Sequence, residues 1–314
     1  MRRRRRPLVA LIDDPHSSFP LQAVLGEDFE ILVLRRETEL TSERRSQVRA
    51  LVTTTNAGAS RDLIDLFPAL EVLAVAGGHI DRVDTTHLNA RGIPVCATPG
   101  LSTEDVADFT MGLILAHLRG ICIGDRLVRA GQWRQTVPPL GHSLGGLCLG
   151  IFGLGRIGYK LALRATAFGM DVKYCGPRQK PEISWPFLDT LAELARASDI
   201  LAVTCRSCPE VQEVVDAEVL QILGPLGLLV SISRGAVNQD DLIVALREGK
   251  LGGAALDVVA DEPSVPAELM RHPKVIVTPH MASKTNRAKR TVAQLVRDNL
   301  RTYFADKRLL TPVQ

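Results

Sequence analysis

Three residues in the second half of this 314-residue chain carry side chains that together could do acid–base chemistry: Arg234, Glu262 and His280. Histidine holds and releases a proton near neutrality. A carboxylate beside it favours the imidazolium form, and a guanidinium offers a fork of N–H donors to a carboxylate or carbonyl oxygen. Each of the three follows a short apolar run: Val230-Ser-Ile-Ser-Arg234, Ala255-Leu-Asp257 leading to Glu262, and Ile276-Val-Thr-Pro-His280. Such runs read as buried parallel strands, and ligands of open α/β sheets bind at the carboxyl ends of strands. Taken singly, Arg234 reads as a structural ion pair, Glu262 as a surface acid and His280 as a loop histidine. Their recurrence at three strand ends is what points to a site.

A second motif lies upstream. Leu147 to Phe152 reads as a buried strand, Gly153-Leu-Gly155-Arg156-Ile157-Gly158 follows at once, and Tyr159 to Phe168 continues as a helix. The first glycine permits a tight turn, the second lets backbone approach a pyrophosphate, and the third lets helix and strand pack closely. The helix amino terminus then turns free N–H groups and a positive dipole end toward the anion. The next strand ends Asp171-Val-Lys-Tyr-Cys-Gly-Pro-Arg178. An NAD enzyme usually has an acid at this tip for the ribose 2′-OH. Here the tip is Cys175 and Gly176, followed by Arg178 and Lys180, cations suited to a 2′-phosphate. NADP(H) is therefore favoured, with NAD(H) possible; ordinary solvated charge is the alternative reading of Arg178.

The elements that must position these groups read as two α/β series. Apolar runs at Leu8–Ile12, Ile31–Leu34, Leu51–Thr54 and Val72–Val75, and one after Gly92-Ile-Pro, predict strands of a first parallel sheet. Thr103 to Leu118 predicts a helix, capped by Ser102 or Thr103, with Val106, Phe109, Met111, Leu113 and Ile114 on its apolar faces. The stretch from Gly131 to Gly146 reads as loop. Strands near 147–152, 171–175, 199–204, 228–232, 253–257 and 275–278 form a second series, and Lys284 to Phe304 predicts a final helix.

Composition excludes several classes. With 46% hydrophobic and 23% charged residues the chain is globular, and no apolar run reaches the roughly 18 residues of a bilayer span. The net charge of +3 comes from Arg2 to Arg6; the other 33 basic residues face 35 acidic ones, leaving −2. That run reads as a solvated terminus, so neither a nucleic-acid nor a membrane partner is expected. Pro7 to Ile12 is too short for a secretion signal, and Asp13 and Asp14 interrupt it. Six scattered cysteines suit buried thiols in a reducing cytoplasm. Cys205-Arg-Ser-Cys208 has redox-pair spacing but reads equally as a strand running into a loop, and no metal site is expected.

The chain resembles the D-isomer-specific 2-hydroxyacid dehydrogenases, and within them the glyoxylate/hydroxypyruvate reductases. The matching segments are Gly77-Gly-His-Ile-Asp-Arg-Val-Asp84, Arg91-Gly-Ile-Pro-Val95, Gly150 to Gly158, Ser233-Arg-Gly235, Gly252-Gly-Ala-Ala-Leu-Asp-Val258, Asp261-Glu-Pro263 and Thr278-Pro-His280. The resemblance implies a flavodoxin-like substrate domain, residues 1–102 and 284–314, with a Rossmann cofactor domain, 103–283, inserted into it and the reactants held between them. It implies Arg234, Glu262 and His280 as catalytic residues, His280 giving the proton to a carbonyl oxygen and Arg234 binding the carboxylate. Gly77, Gly78 and His79 would join them in holding the substrate. Val106, Gly153, Gly155, Arg156, Ile157, Gly158, Arg178, Cys205, Ser233 and Asp257 would line the cofactor site, Asp257 holding the nicotinamide carboxamide. The implied reaction is NAD(P)H-dependent reduction of glyoxylate or hydroxypyruvate to the D-2-hydroxy acid. A bulkier 2-oxo acid, or a non-catalytic nucleotide-sensing role like that of the family's co-repressors, are the alternatives. A homodimer is also implied, with Trp133 in the segment resembling the dimer arm; Trp133 reads equally as a core anchor.

The chain departs from the pattern twice. His79 stands where relatives usually have Gly, which costs strain if the backbone there needs positive φ. Either His79 alters substrate choice or the loop relaxes. Pro177 takes the place of the first Arg of the usual NADP tip, leaving Arg178 to substitute, and Arg206 is a further cation near the adenosine end.

Overall fold

A computed structural model describes residues 6–12, 14, 19–35 and 40–313, so Arg2 to Arg5 and Asp13 lie outside the described residues. The chain divides into two compact units, one formed by residues up to Leu101 together with those from Lys284 on, the other by Ser102–Ser283.

In the first unit β1 (Leu8–Ile12), β2 (Glu30–Leu34), β3 (Val48–Thr54), β4 (Val72–Ala76) and β5 (Val95–Ala97) form a parallel sheet of order β2-β1-β3-β4-β5, the flavodoxin-like order. Strand β3 starts three residues earlier than its apolar run suggests. Arg49 interrupts the run in sequence, but its guanidinium pairs with Glu71 and lies 4.9 Å from the Phe304 ring centre, so the charge is met without ending the strand. The long helix Asn286–Asp306 belongs to this unit. Thr285 caps it by accepting from the Ala288 N–H, and Val292, Ala293, Val296, Leu300 and Tyr303 pack with Val9, Leu25 and Phe29. Buried Asn299 accepts from the N–H groups of Leu310 and Thr311, which ties the terminal segment against β5.

The second unit holds β6 (Cys148–Phe152), β7 (Asp171–Cys175), β8 (Ile200–Val203), β9 (Leu228–Ser231), β10 (Gly253–Leu256) and β11 (Val275–Val277). All run parallel, in the order β11-β10-β9-β8-β6-β7. The chain steps from β6 out to β7, then back across to β8, so the strand order reverses between β6 and β8. That is the crevice where doubly wound sheets bind ligands. The helix Thr103–Leu118 forms over its predicted span, with Ala107, Met111 and Ile114 packed against Leu149 and Ile151. Ser102 takes the cap position without a capping side-chain bond.

Two further features bear on the sequence reading. A helix, Ile121–Arg129, follows the long one at a 62° bend and buries none of its residues, so no core-facing stripe announced it. Trp133 is 70% exposed and anchors no core. Among the described residues no single helix is long and apolar enough to cross a membrane.

Candidate active site

The glycine turn sits at the crevice between β6 and β8. Gly153 takes φ +96°, and a β-carbon there would lie 2.4 Å from the Cys205 Cα, so only glycine fits. Its carbonyl accepts from the Thr204 hydroxyl at 2.8 Å, and its N–H donates to the Cys175 carbonyl, tying the turn to the ends of both neighbouring strands. A β-carbon on Gly158 would stand 2.7 Å from the Gly153 carbonyl oxygen and 2.8 Å from Thr204 Oγ1, which is the close helix–strand approach the third glycine serves. Gly155 differs: nothing lies within 4 Å of where its β-carbon would be, and that open space is what a pyrophosphate needs. The helix Arg156–Ala167 starts directly after it, three residues before the predicted start, and its first i→i−4 bond runs from the Tyr159 N–H to the Gly155 carbonyl. The N–H groups of Arg156 and Ile157 are thus left without helical partners beside that space. Val106, in the first turn of its helix, is buried.

At the β7 tip Cys175 is buried, Asp171 is at the far end of the strand, and Arg178 is exposed. Among the described residues neither Arg178 and Lys180 after β7 nor Arg206 after β8 forms an ion pair. The Tyr174 hydroxyl, on a buried side chain, accepts from the Lys180 N–H at 2.9 Å and holds this loop against its strand.

The Cys205–Cys208 pair lies in the loop after β8. Burial pushes the Cys205 thiol up, and a hydrogen bond with Glu210 pushes Cys208 up. Thiols held protonated are poor nucleophiles, so a redox role gains no support. Ser233 donates to the carbonyls of Cys205 at 2.8 Å and Val203 at 3.1 Å; its hydroxyl braces the ends of β8 and β9.

Arg234, Glu262 and His280 follow β9, β10 and β11, three adjacent strands. The lateral order of the sheet brings them together: Glu262 Oε2 accepts from Arg234 Nη2 at 3.2 Å and lies 2.9 Å from His280 Nδ1. Glu262 Oε1 accepts from the Val259 N–H at 3.4 Å. Burial pushes the Glu262 carboxyl up, but the hydrogen bond and charge of His280, with Arg234 behind it, outweigh this and hold it below the usual carboxylate range. With Glu262 ionised, Nδ1 carries the proton of that bond. Nε2 is then the nitrogen left to exchange a proton with a ligand. The Ala260 N–H donates to Gln239 Oε1 at 3.0 Å, which steadies the loop that carries Glu262.

The lowered carboxyl has a measurable consequence. A depressed folded-state value means that the charged contact stabilises fully above the ordinary carboxylate range and is lost as pH falls through the lowered value. The Tm advantage of the wild type over Glu262→Gln should therefore shrink steadily on acidification below about pH 5. A difference in Tm that stays constant with pH would sink this account.

His280 occupies φ +45°, a left-handed conformation that costs a non-glycine residue on the order of 1–3 kcal/mol. The buried Asp257 carboxylate accepts from Thr278, Met281 and Ala282 around it. Thr278 and Gln239 are contributors that residue types alone did not single out. Thr278 stood inside the Thr-Pro-His segment, but no periodicity marks a hydroxyl that will meet an acid 21 residues earlier.

In the first unit Gly77 follows β4 with φ +146°, and a β-carbon on it would strike Thr55 Oγ1 at 1.9 Å. Its N–H donates to Thr98 Oγ1 at 2.8 Å. His79 is exposed and lies outside the left-handed region, so the strain considered for it does not arise; Gly77 carries that requirement instead. Among the described residues the N–H groups of Gly78 and His79 have no acceptor, and successive free N–H groups suit an anion.

A glycine turn at the switch point of a doubly wound sheet shares that sheet with an Arg–Glu–His cluster, an arrangement chemically suited to a nucleotide-dependent oxidoreductase. Comparison with known proteins narrows the class. The family described as D-isomer specific 2-hydroxyacid dehydrogenase, NAD binding domain, matches residues 111–282. Glyoxylate/hydroxypyruvate reductase A of Arabidopsis thaliana is 41% identical over 303 residues, 95% of this chain and 96% of that protein. Hydroxyphenylpyruvate reductase of Plectranthus scutellarioides is 42% identical over 85% of each chain. The crystal structure of an NADPH-dependent glyoxylate/hydroxypyruvate reductase from Sinorhizobium meliloti, in complex with NADP and malonate, superposes with a TM-score of 0.87 at 35% identity, covering 98% of this chain and 97% of that one. The chain belongs to the D-isomer specific 2-hydroxyacid dehydrogenase family.

Proposed function

We propose that this chain reduces a small 2-oxo acid, glyoxylate or hydroxypyruvate, to the D-2-hydroxy acid, with NADPH preferred over NADH. The observation that carries the reading is the hydrogen-bonded chain Arg234–Glu262–His280 on the sheet that also bears the glycine turn. A bound nicotinamide supplies the hydride. His280 Nε2 gives the proton to the carbonyl oxygen, Glu262 keeps Nδ1 protonated and the ring oriented, and Arg234 binds the carboxylate. Residues 103–283 serve as cofactor domain; residues 1–102 and 284–314 serve as substrate domain, where the free N–H groups of Gly78 and His79 support a role in holding the carboxylate. Gly155, Arg156 and Ile157 would hold the pyrophosphate, and the exposed Arg178, which forms no ion pair among the described residues, supports the preference for a 2′-phosphate.

The matched hydroxyphenylpyruvate reductase favours a second reading, a bulkier 2-oxo acid with the same chemistry. The nucleotide-sensing alternative has no comparable support. A homodimer in the cytoplasm completes the proposal. Trp133, Val137 and Leu140 are 70%, 91% and 95% exposed on one segment, an apolar surface that a second copy would cover, and the six free thiols suit a reducing compartment. A monomeric mass by light scattering would refute the dimer.

The test follows NADPH and NADH oxidation with glyoxylate, hydroxypyruvate and hydroxyphenylpyruvate. Turnover on the first two, faster with NADPH, is expected; cofactor binding without turnover on any of them would overturn the reading. Arg178→Ala should raise the KM for NADPH by about 10-fold, the worth of a charge-assisted hydrogen bond, and leave NADH nearly unchanged. Equal effects on both would remove Arg178 from the 2′-phosphate role.

A further inference from the structure

We infer that Asp257 is the positioning residue for His280. The inference rests on the catalytic reading of His280 and goes beyond it. The Asp257 side chain is 2% exposed and follows β10, directly beside the turn after β11. Its Oδ1 accepts from the Thr278 hydroxyl at 2.5 Å and from the Met281 N–H at 2.9 Å, and its Oδ2 accepts from the Ala282 N–H at 2.9 Å. These donors lie on both sides of His280. The turn between them is closed by the His280 N–H, which donates to the Thr278 carbonyl at 2.9 Å. His280 within it stands at φ +45°, a conformation that persists only where surrounding bonds over-determine it.

One carboxylate thus clamps the two flanks of a strained residue whose Nδ1 must stay 2.9 Å from Glu262. Oδ1 is shared by two donors and Oδ2 is engaged by a third, so the group's hydrogen bonds are spent mainly on the turn. An amide at this position would offer one acceptor oxygen and turn its NH2 toward a backbone N–H, so one side of the clamp would open. The pull on His280 passes through backbone, without contact between Asp257 and the reacting atoms.

The test uses the full chain and reads His280 directly. Its imidazole Cε1–H resonance, assigned by its disappearance in His280→Ala, is compared in the cofactor-free wild type, Asp257→Asn and Thr278→Val. Both substitutions should shift or broaden that resonance, while the other imidazole signals stay in place. With cofactor saturating, kcat should fall by about 100-fold in Asp257→Asn, the cost of misplacing a reacting group by about an ångström, and by about 10-fold in Thr278→Val. In Thr278→Val the Kd for NADPH should stay within about threefold, since that hydroxyl acts on the turn and not on the cofactor. An unmoved His280 resonance in both variants would overturn the inference. Should Asp257→Asn fail to fold, Thr278→Val, which removes one hydroxyl and keeps the side-chain shape, decides alone. The resonance needs no turnover, so a chain inactive on every 2-oxo acid would refute the proposed function and leave this question answerable.

Discussion

Replacing His280 with alanine should lower kcat by about 10²- to 10⁴-fold, the range that general acid catalysis supplies, while the Kd for NADPH stays within about threefold. Two geometric facts carry this expectation. Nδ1 is engaged by Glu262 Oε2 at 2.9 Å, so the imidazole has one nitrogen committed to orientation, and Nε2 has no hydrogen-bond partner among the described residues. The side chain is also 43% exposed, so the ring is not sealed in the core. On the proposed mechanism, in which Glu262 acts through the His280 ring it contacts, the double variant His280→Ala/Glu262→Gln should be scarcely slower than His280→Ala alone. Steady-state rates with glyoxylate, and NADPH binding by fluorescence, measure both parts. A kcat within tenfold of wild type would remove His280 from the proton transfer.

Replacing Arg234 with glutamine should raise the KM for the 2-oxo acid by about 10²- to 10³-fold, because loss of a forked guanidinium from a desolvated carboxylate costs about 2–5 kcal/mol. Lysine should restore only part of this, since one ammonium cannot reproduce two parallel N–H donors. The Arg234 side chain is 44% exposed, and only one of its donors, Nη2, reaches Glu262, so the remaining face of the fork is available to a substrate. If Arg234 were only the structural partner of Glu262, glutamine at 234 would lower thermal stability and leave KM where it was. Measuring KM, kcat and Tm on the same variant separates the two outcomes.

Much of this architecture was legible because it is written locally. The strands β1, β7, β9 and β10 fall within a residue of their apolar runs, since buried parallel strands are continuous stretches of hydrophobic residues. The glycine turn was legible for the same reason: φ +96° at Gly153 is a demand made by one residue on its own backbone. The helix Ile121–Arg129 was not legible, because it buries nothing and so shows no core-facing stripe. Strand β3 ran past its visible start because Arg49 finds its partners, Glu71 and Phe304, far along the chain. Nor did the substitution of histidine for glycine at 79 disclose that the left-handed position in that loop belongs to Gly77.

For the site itself, residue types and their place at strand ends were enough to nominate Arg234, Glu262 and His280. That their side chains meet at one carboxylate oxygen was decided by the order β11-β10-β9. It brings residues 28 and 18 positions apart within hydrogen-bonding distance. Tertiary structure alone also turned Asp257 toward Thr278, Met281 and Ala282. Periodicity and turn chemistry act over a few neighbouring residues, whereas a side chain's partners are set by which strands lie beside its own and in what register. That is why the sequence could nominate these three residues and the glycine turn, and only the folded sheet could say which atoms hold them together.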